Sequence, residues 1–301
     1  FSLNLKTLGI KELYFKLNDA EFDRIITEIQ PETVIFDRFI VEEQFGWRVA
    51  QVCPDAIRVL NTEDLHSLRE YRYAILKSDE EYCIHDWLLQ DKTKREMASI
   101  LRSDLSLVVS THEERLLIET LNIHKSHILH LPFMLPKISM GTIGQWPNYD
   151  DRTDFICVGN GKHAPNIDAL HYVKTQIWPM IRQRLPEAKL HVYGGYLPQN
   201  VLQWHHVDNG FLVHGWVNDL EGVMQRARVL LAPLRFGAGI KGKLVTAMCC
   251  GTPSITTSIG AEGMLQQGDW PGQVCDDTID FVDQAVALYT QKNRWEQCQR
   301  T

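Results

Sequence analysis

No apolar run in the 301 residues approaches the ~18 needed for a membrane-spanning helix. No signal peptide is visible at Phe1 either. Basic excess is also missing, since 31 Lys and Arg face 38 Asp and Glu for a net charge of −7. That balance excludes the basic stripe of a nucleic-acid binder. It also excludes a polybasic grip on anionic lipid, while leaving room for a local basic patch and a peripheral membrane contact. The seven cysteines (53, 83, 157, 249, 250, 275 and 298) contain no CxxC pair, and several lie inside apolar patterns. They read as reduced core residues of a cytoplasmic protein rather than disulfides or a metal set. Twelve histidines show no HxxxH or HExxH spacing, and neither DxD nor the GxxxxGK[ST] order occurs, so no metal is expected. With 44% hydrophobic and 23% charged residues, what remains is ordinary globular material with room for about two domains.

Against these absences stands one dense stretch, residues 233–264. An apolar run, Val229 to Pro233, stops at the glycine-broken loop Gly237-Ala238-Gly239-Ile240-Lys241-Gly242-Lys243. A short apolar helix pattern follows from Leu244 to Cys250, Gly251-Thr252-Pro253 closes it, and Ser254–Thr257 reads as the next strand. Glycines let backbone approach a phosphate, free N–H groups of the first helical turn point at it, and lysines add charge. Arg235, Lys241 and Lys243 cluster around this loop. The plainer alternative is a solvated basic loop beside a helix.

The rest of the chain alternates strand and helix patterns. In the first half, strand-like runs are Glu12–Lys16, Thr33–Phe36, Ala56–Leu60 and Leu105–Ser110. Amphipathic stretches lie at Ala20–Ile29, Glu42–Val52, Leu65–Leu101 and Glu113–Leu121. In the second half, strands are expected at Asp154–Val158, Lys189–Tyr193, Phe211–His214, Val229–Leu234, Ser254–Thr257 and Gln273–Cys275. Helices are expected over Ile167–Leu185, from an Asp219 cap to Arg226, and over 278–291. Alternation of this kind predicts α/β units with parallel sheets. The domains are placed at 1–133 and 152–301, with the aperiodic, Pro- and Gly-marked segment 134–151 as linker.

The sequence Pro233-Leu234-Arg235-Phe236-Gly237-Ala238-Gly239-Ile240-Lys241-Gly242-Lys243, ending in Gly260-Ala261-Glu262-Gly263, resembles the nucleotide-sugar site of retaining family 4 glycosyltransferases. The resemblance covers roughly Glu32 to Trp295 and is strongest over 154–264. It implies the GT-B fold, two Rossmann-like domains facing across a cleft, with an incomplete amino-terminal domain whose opening strand and glycine-containing loop this sequence does not show. It also implies metal-independent transfer of a sugar from a nucleotide-diphosphate donor to a glycan or lipid-linked acceptor, with no separate cofactor and a role in polysaccharide biosynthesis.

By the same resemblance, Arg235, Lys241 and Lys243 stabilise the leaving diphosphate, and Gly237 and Gly239 admit it. Gly161 and Lys162, in the loop after the strand 154–158, join the donor side. Val217 stands where relatives contact the nucleobase, and Glu262 where they bind the sugar. The ribose-binding glutamate of the family corresponds to Thr246, whose hydroxyl makes one neutral bond where a carboxylate makes two charge-assisted ones. Ala238 replaces the family's other glutamate. In the first domain, Asn61-Thr62-Glu63-Asp64-Leu65-His66 follows a strand. Either Thr62 caps the next helix or Asp64 and His66 face the cleft as catalytic groups. Ser110-Thr111-His112-Glu113 offers the same choice and reads as a cap. Two rivals stay open. One is a catalytically silent GT-B protein that binds a nucleotide sugar or a partner chain, and the other is a nucleotide-sugar epimerase with Glu63, Asp64 and Glu262 as its acids and bases.

Overall fold

The computed structural model describes residues 4–78, 80–264 and 270–301. Two all-parallel sheets organise them. The first has the order β1 (Thr33–Asp37), β2 (Ile57–Asn61), β3 (Leu105–Val108), β4 (Ile128–His130). The second contains β5 (Thr153–Val158), β6 (Leu190–Tyr193), β7 (Phe211–Gly215), β8 (Ala227–Ala232), β9 (Ser254–Thr256) and β10 (Gly272–Val274). Its strand order is β10-β9-β8-β5-β6-β7, so the chain starts in the middle, runs to one edge, and returns to build the other. Residues 131–152 pass between the sheets and carry the short helix Met140–Ile143.

Strand alternation explains how the second sheet is covered on both faces. Phe155, Cys157, Val229 and Leu231 enter a core with Trp178, Phe211, Phe281 and Trp295. Their alternating neighbours Ile156, Leu230 and Ala232 pack on the other side against Leu244, Ala247 and Cys250. Burial on both faces is why these strands read as nearly continuous apolar runs. The first sheet differs. Phe36, Leu60, Val108 and Ile128 share one buried cluster, while Ile35, Ile57 and Leu129 remain exposed.

Several local expectations need correction. Glu12–Lys16 forms no strand, and β4, a three-residue strand, is an addition. The long helical region divides into His66–Ser78, Ile84–Leu89 and Asp91–Arg102, with Gln90 in an extended conformation that ends one helix and caps the next. A further helix, Lys292–Arg300, closes the chain. Among the described residues no helix is long and apolar enough to cross a membrane.

Candidate functional site

The strand order of the second sheet reverses between the parallel neighbours β5 and β8, and the crevice beyond their carboxyl ends is where doubly wound sheets take ligands. The loops that leave those two strands meet there. A cavity of about 320 Å³ is lined by Gly159, Asn160, His163 and Asn166 from the first loop and helix, and by Phe236, Gly237, Ala238, Ile240, Lys241, Gly242, Lys243 and Thr246 from the second. Its size is that of a small-molecule site.

Two lysines and a helix start give the cavity its chemistry. The helix Gly242–Cys249 begins at Lys241, which makes no side-chain capping bond. The Leu244 amide goes to the Lys241 carbonyl at 2.8 Å. The Gly242 and Lys243 amides, with no partner among the described residues, are left for a ligand or water. At the far end, the buried Arg152 guanidinium donates to the Cys250 carbonyl at 2.8 Å, complementing the negative end of the helix dipole. Lys241 Nζ donates to the Gly239 carbonyl at 2.7 Å, and burial pushes the ammonium pKa down to about 8. Lys243 Nζ donates to Asn166 Oδ1 at 2.6 Å, and burial brings it down to about 8 as well. Asn166 can come so close because Gly159 has no side chain, a Cβ there falling 2.8 Å from Asn166. Desolvated ammonium groups gain most from an incoming anion, which replaces the solvation that burial removes. Thr246 lines the cavity while its hydroxyl donates to Gly242 O at 3.0 Å, leaving the oxygen free to accept.

A second cavity, of about 470 Å³, lies between the two sheets. Arg38, Asn61, Glu63, Asp64, His66 and Arg69 line it from the first domain, His163, Ala238, Gly239 and Ile240 from the second. His163, Ala238 and Ile240 border both cavities, so the two adjoin. Asp64 holds His66 Nε2 at 3.1 Å and is paired with Arg69. Burial alone would raise the Asp64 carboxyl pKa, and the bonds to His66 and Arg69 outweigh it and hold the group below the usual range.

Thr62 does not cap the helix at His66. Its hydroxyl donates to Leu107 O at 2.9 Å. The cap comes from the distant, buried Glu96, which accepts the His66 and Ser67 amides at 2.9 and 3.0 Å and the Ser67 hydroxyl at 2.6 Å. Ser110 does act as a cap, accepting the Glu113 amide at 3.4 Å.

The remaining sequence candidates are scattered. Arg235 lies outside both cavities and turns to Asp168, with contacts of 2.9 and 2.5 Å and its guanidinium over the Tyr172 ring at 4.9 Å. Glu262 also lines neither cavity. It binds Arg72 at two points, 2.7 and 2.8 Å, and lies 3.4 Å from His112 Nε2. Gly161 serves local packing, since a Cβ there would fall 2.2 Å from the Tyr196 carbonyl. Lys162 sits over the Tyr196 ring at 4.1 Å. Val217 packs on the core of the second domain. Sequence reasoning missed Asn166 and Arg72, and read Glu113 only as part of a helix-cap segment. Of these only Glu113 left a local signal, its place three residues after the capping Ser110.

The two domains touch along one seam. Gly239 has φ +63°, and a Cβ there would lie 2.7 Å from Asp64 Cβ, so only glycine permits this approach. Phe236 stacks on Tyr73 with centroids 4.6 Å apart, and the Thr111 hydroxyl donates to Gly263 O at 3.2 Å.

Residues 152–291 match the family model described as Glycosyl transferases group 1. No curated protein matches the chain. Among solved structures, the pneumococcal O-GlcNAc transferase GtfA in complex with UDP and GlcNAc aligns with TM-score 0.67 and 18% identity over 96% of this chain and 56% of its own. A TarM variant from S. aureus, in complex with fondaparinux, alpha-GlcNAc-glycerol and UDP, gives 0.67 and 10% over 92% and 53%. WaaG, a glycosyltransferase involved in lipopolysaccharide biosynthesis, gives 0.62 and 15% over 93% and 76%. The chain thus spans little more than half the length of the first two. It has the GT-B glycosyltransferase fold, with the group 1 family matched over its carboxyl-terminal domain.

Proposed function

We infer that this chain binds a nucleotide-diphosphate sugar in the 320 Å³ cavity and transfers the sugar to an acceptor in the adjoining one. The observation that carries the reading is the pair of desolvated lysines, Lys241 and Lys243, beside an uncapped helix start at a topological switch point. As the sugar–phosphate bond breaks, negative charge grows on the diphosphate, and fixed cations with aimed N–H groups favour that state over the ground state. His66 and Asp64 border the acceptor side, close to where the sugar would lie. Retention of configuration, independence from metal, and a glycan or lipid-linked acceptor in polysaccharide assembly follow from the resemblance and belong to this proposal. Titration with uridine-, guanosine- and thymidine-diphosphate sugars, followed by assays of donor hydrolysis and transfer, tests it. Absence of any nucleotide binding would reject it.

A second reading keeps the donor site but removes catalysis. It draws on Thr246, with its neutral hydroxyl at the ribose position, and on Glu262, whose oxygens are engaged by Arg72. Donor binding without hydrolysis or transfer would favour it.

A further inference from the structure

Glu113 is wholly buried at the seam between the domains. One carboxyl oxygen, Oε1, accepts two backbone amides from opposite sides: Leu65 N of the first domain at 3.1 Å and Gly239 N of the glycine loop at 2.8 Å. The other oxygen, Oε2, has no hydrogen-bond partner among the described residues. A glutamate three residues after a capping serine ordinarily turns back to the serine's own amide. Here Ser110 caps the helix, while the glutamate reaches across the seam.

Gly239 is therefore held at both of its polar atoms. Its N–H goes to Glu113, and its carbonyl receives Lys241 Nζ at 2.7 Å. Its φ of +63°, and the 2.7 Å that would separate a Cβ here from Asp64 Cβ, restrict the position to glycine. The position of the Lys241 ammonium in the cavity thus depends on where Gly239 is fixed, and Glu113 supplies the tie to the first domain. Leu65, at the other end of that tie, directly follows Asp64 and precedes His66, the polar pair of the adjoining cavity. One buried carboxyl oxygen joins the two halves of the cleft.

We propose that Glu113 is a positioning residue: it fixes the glycine loop, and through Gly239 the Lys241 ammonium, against the loop that carries Asp64 and His66. Its effect on diphosphate binding rests on the donor reading above. Its effect on the loop does not. Burial pushes the carboxyl pKa up to about 7, so a neutral side chain with one well-placed acceptor oxygen can do the same work. Glutamine has that oxygen and alanine does not.

The test compares Glu113→Gln and Glu113→Ala with the parent protein in two measurements. Hydrogen exchange on the unliganded proteins reads the tie itself. The Leu65 and Gly239 amides should exchange about tenfold faster or more in E113A and near the parent rate in E113Q, with β8 amides unchanged in both. Calorimetry with UDP reads the consequence, with affinity about tenfold lower or worse in E113A and within about threefold of the parent in E113Q. Unchanged exchange at Leu65 and Gly239 in E113A overturns the proposal, as does faster exchange spread over the whole second sheet. Faster local exchange with unaltered UDP affinity also overturns it. Failure of UDP and related diphosphates to bind the parent protein would reject the donor reading alone, because exchange still decides whether Glu113 holds the loop.

Discussion

Arg72 and Glu262, 190 residues apart in sequence, join the two domains by a two-point ion pair at 2.7 and 2.8 Å. The same guanidinium donates to the carbonyl of Gly237 at 2.8 Å, so one side chain of the first domain holds both the start of the glycine loop and the segment after β9. Both side chains are largely buried, with 13% and 15% of their surface exposed.

Removal of one partner leaves the other charge enclosed without its counter-ion. Arg72→Ala should therefore destabilise the protein by about 2–3 kcal/mol, somewhat below the cost at a fully buried pair because water retains some access. The double variant Arg72→Ala/Glu262→Ala should cost less than the sum of the two single changes. Burial works to raise the Glu262 carboxyl pKa, and the Arg72 bonds overcome it and hold the folded-state value below the ordinary one. The stability this supplies is fully present above the unfolded pKa of about 4.3 and is lost as pH falls through the lowered folded value. Denaturant titrations from pH 7 to pH 3 should show a shallower acid decline in Glu262→Ala than in the parent.

Lys243→Ala should weaken nucleotide-diphosphate binding by about 2 kcal/mol, because it removes a charge-assisted contact in an enclosed site. Arg235→Ala should leave that affinity nearly unchanged, since its guanidinium is engaged by Asp168 outside the cavity. Calorimetry on both variants separates the two roles. Equal losses would place Arg235 on the donor after all.

The contrast between those residues shows what the sequence could disclose. Glycines, lysines and a following apolar helix are consecutive, so local pattern alone marks the loop 237–243 and the helix after it. Caps by Asp219 and Asp277 are equally local. Partners of Arg235, Glu262 and Glu113 are not local. They lie 67, 190 and 126 residues away and are chosen by how the sheets and domains meet. For the same reason Glu96, on another helix, displaces Thr62 as a cap. The break at Gln90 carries no Gly or Pro, and β4 is three residues long, so neither breaks the pattern in a sequence window.

The two cavity lysines make opposite predictions for binding and stability. Both ammonium groups titrate near 8 in the folded protein, below the ordinary lysine value of about 10.4. A diphosphate prefers the protonated forms, so its affinity should fall by about tenfold per engaged lysine as pH rises from 7 to 9. The unfolded chain holds more protons at these two sites between pH 8 and 10, so their contribution to stability should rise over that interval. Calorimetry and chemical denaturation, each across the alkaline range, read the two signs separately.

Gly239→Ala tests the close approach of the domains. The new methyl would meet Asp64 Cβ at 2.7 Å on a backbone with φ of +63°. Strain and crowding together should cost about 2 kcal/mol or more, read as a lowered melting temperature. Gly237→Ala, where the nearest atom to a Cβ is Lys241 Cε at 3.6 Å, is the milder control.

Thr246→Glu bears most directly on whether a donor ribose lies against this helix. The threonine hydroxyl spends its hydrogen on Gly242 O, so it can offer a ribose only one neutral acceptor. A carboxylate at this position would offer two charge-assisted acceptors beside a cavity that already holds Lys243. If the donor ribose lies against this helix, affinity for nucleotide-diphosphate sugars should rise about tenfold or more, since each such bond is worth roughly 1.5–3 kcal/mol. If the pocket instead belongs to a silent module that holds a partner chain rather than a nucleotide sugar, the added carboxylate gains no ribose, and its desolvation should lower the melting temperature. Calorimetry with the donor panel, paired with thermal denaturation, distinguishes these results because they move in opposite directions. Tighter binding is expected, because the cavity keeps both lysines and the free helix start that a donor diphosphate requires. A variant that loses stability and gains no affinity would overturn donor binding, and with it the transferase reading, in favour of a silent module that holds a partner chain.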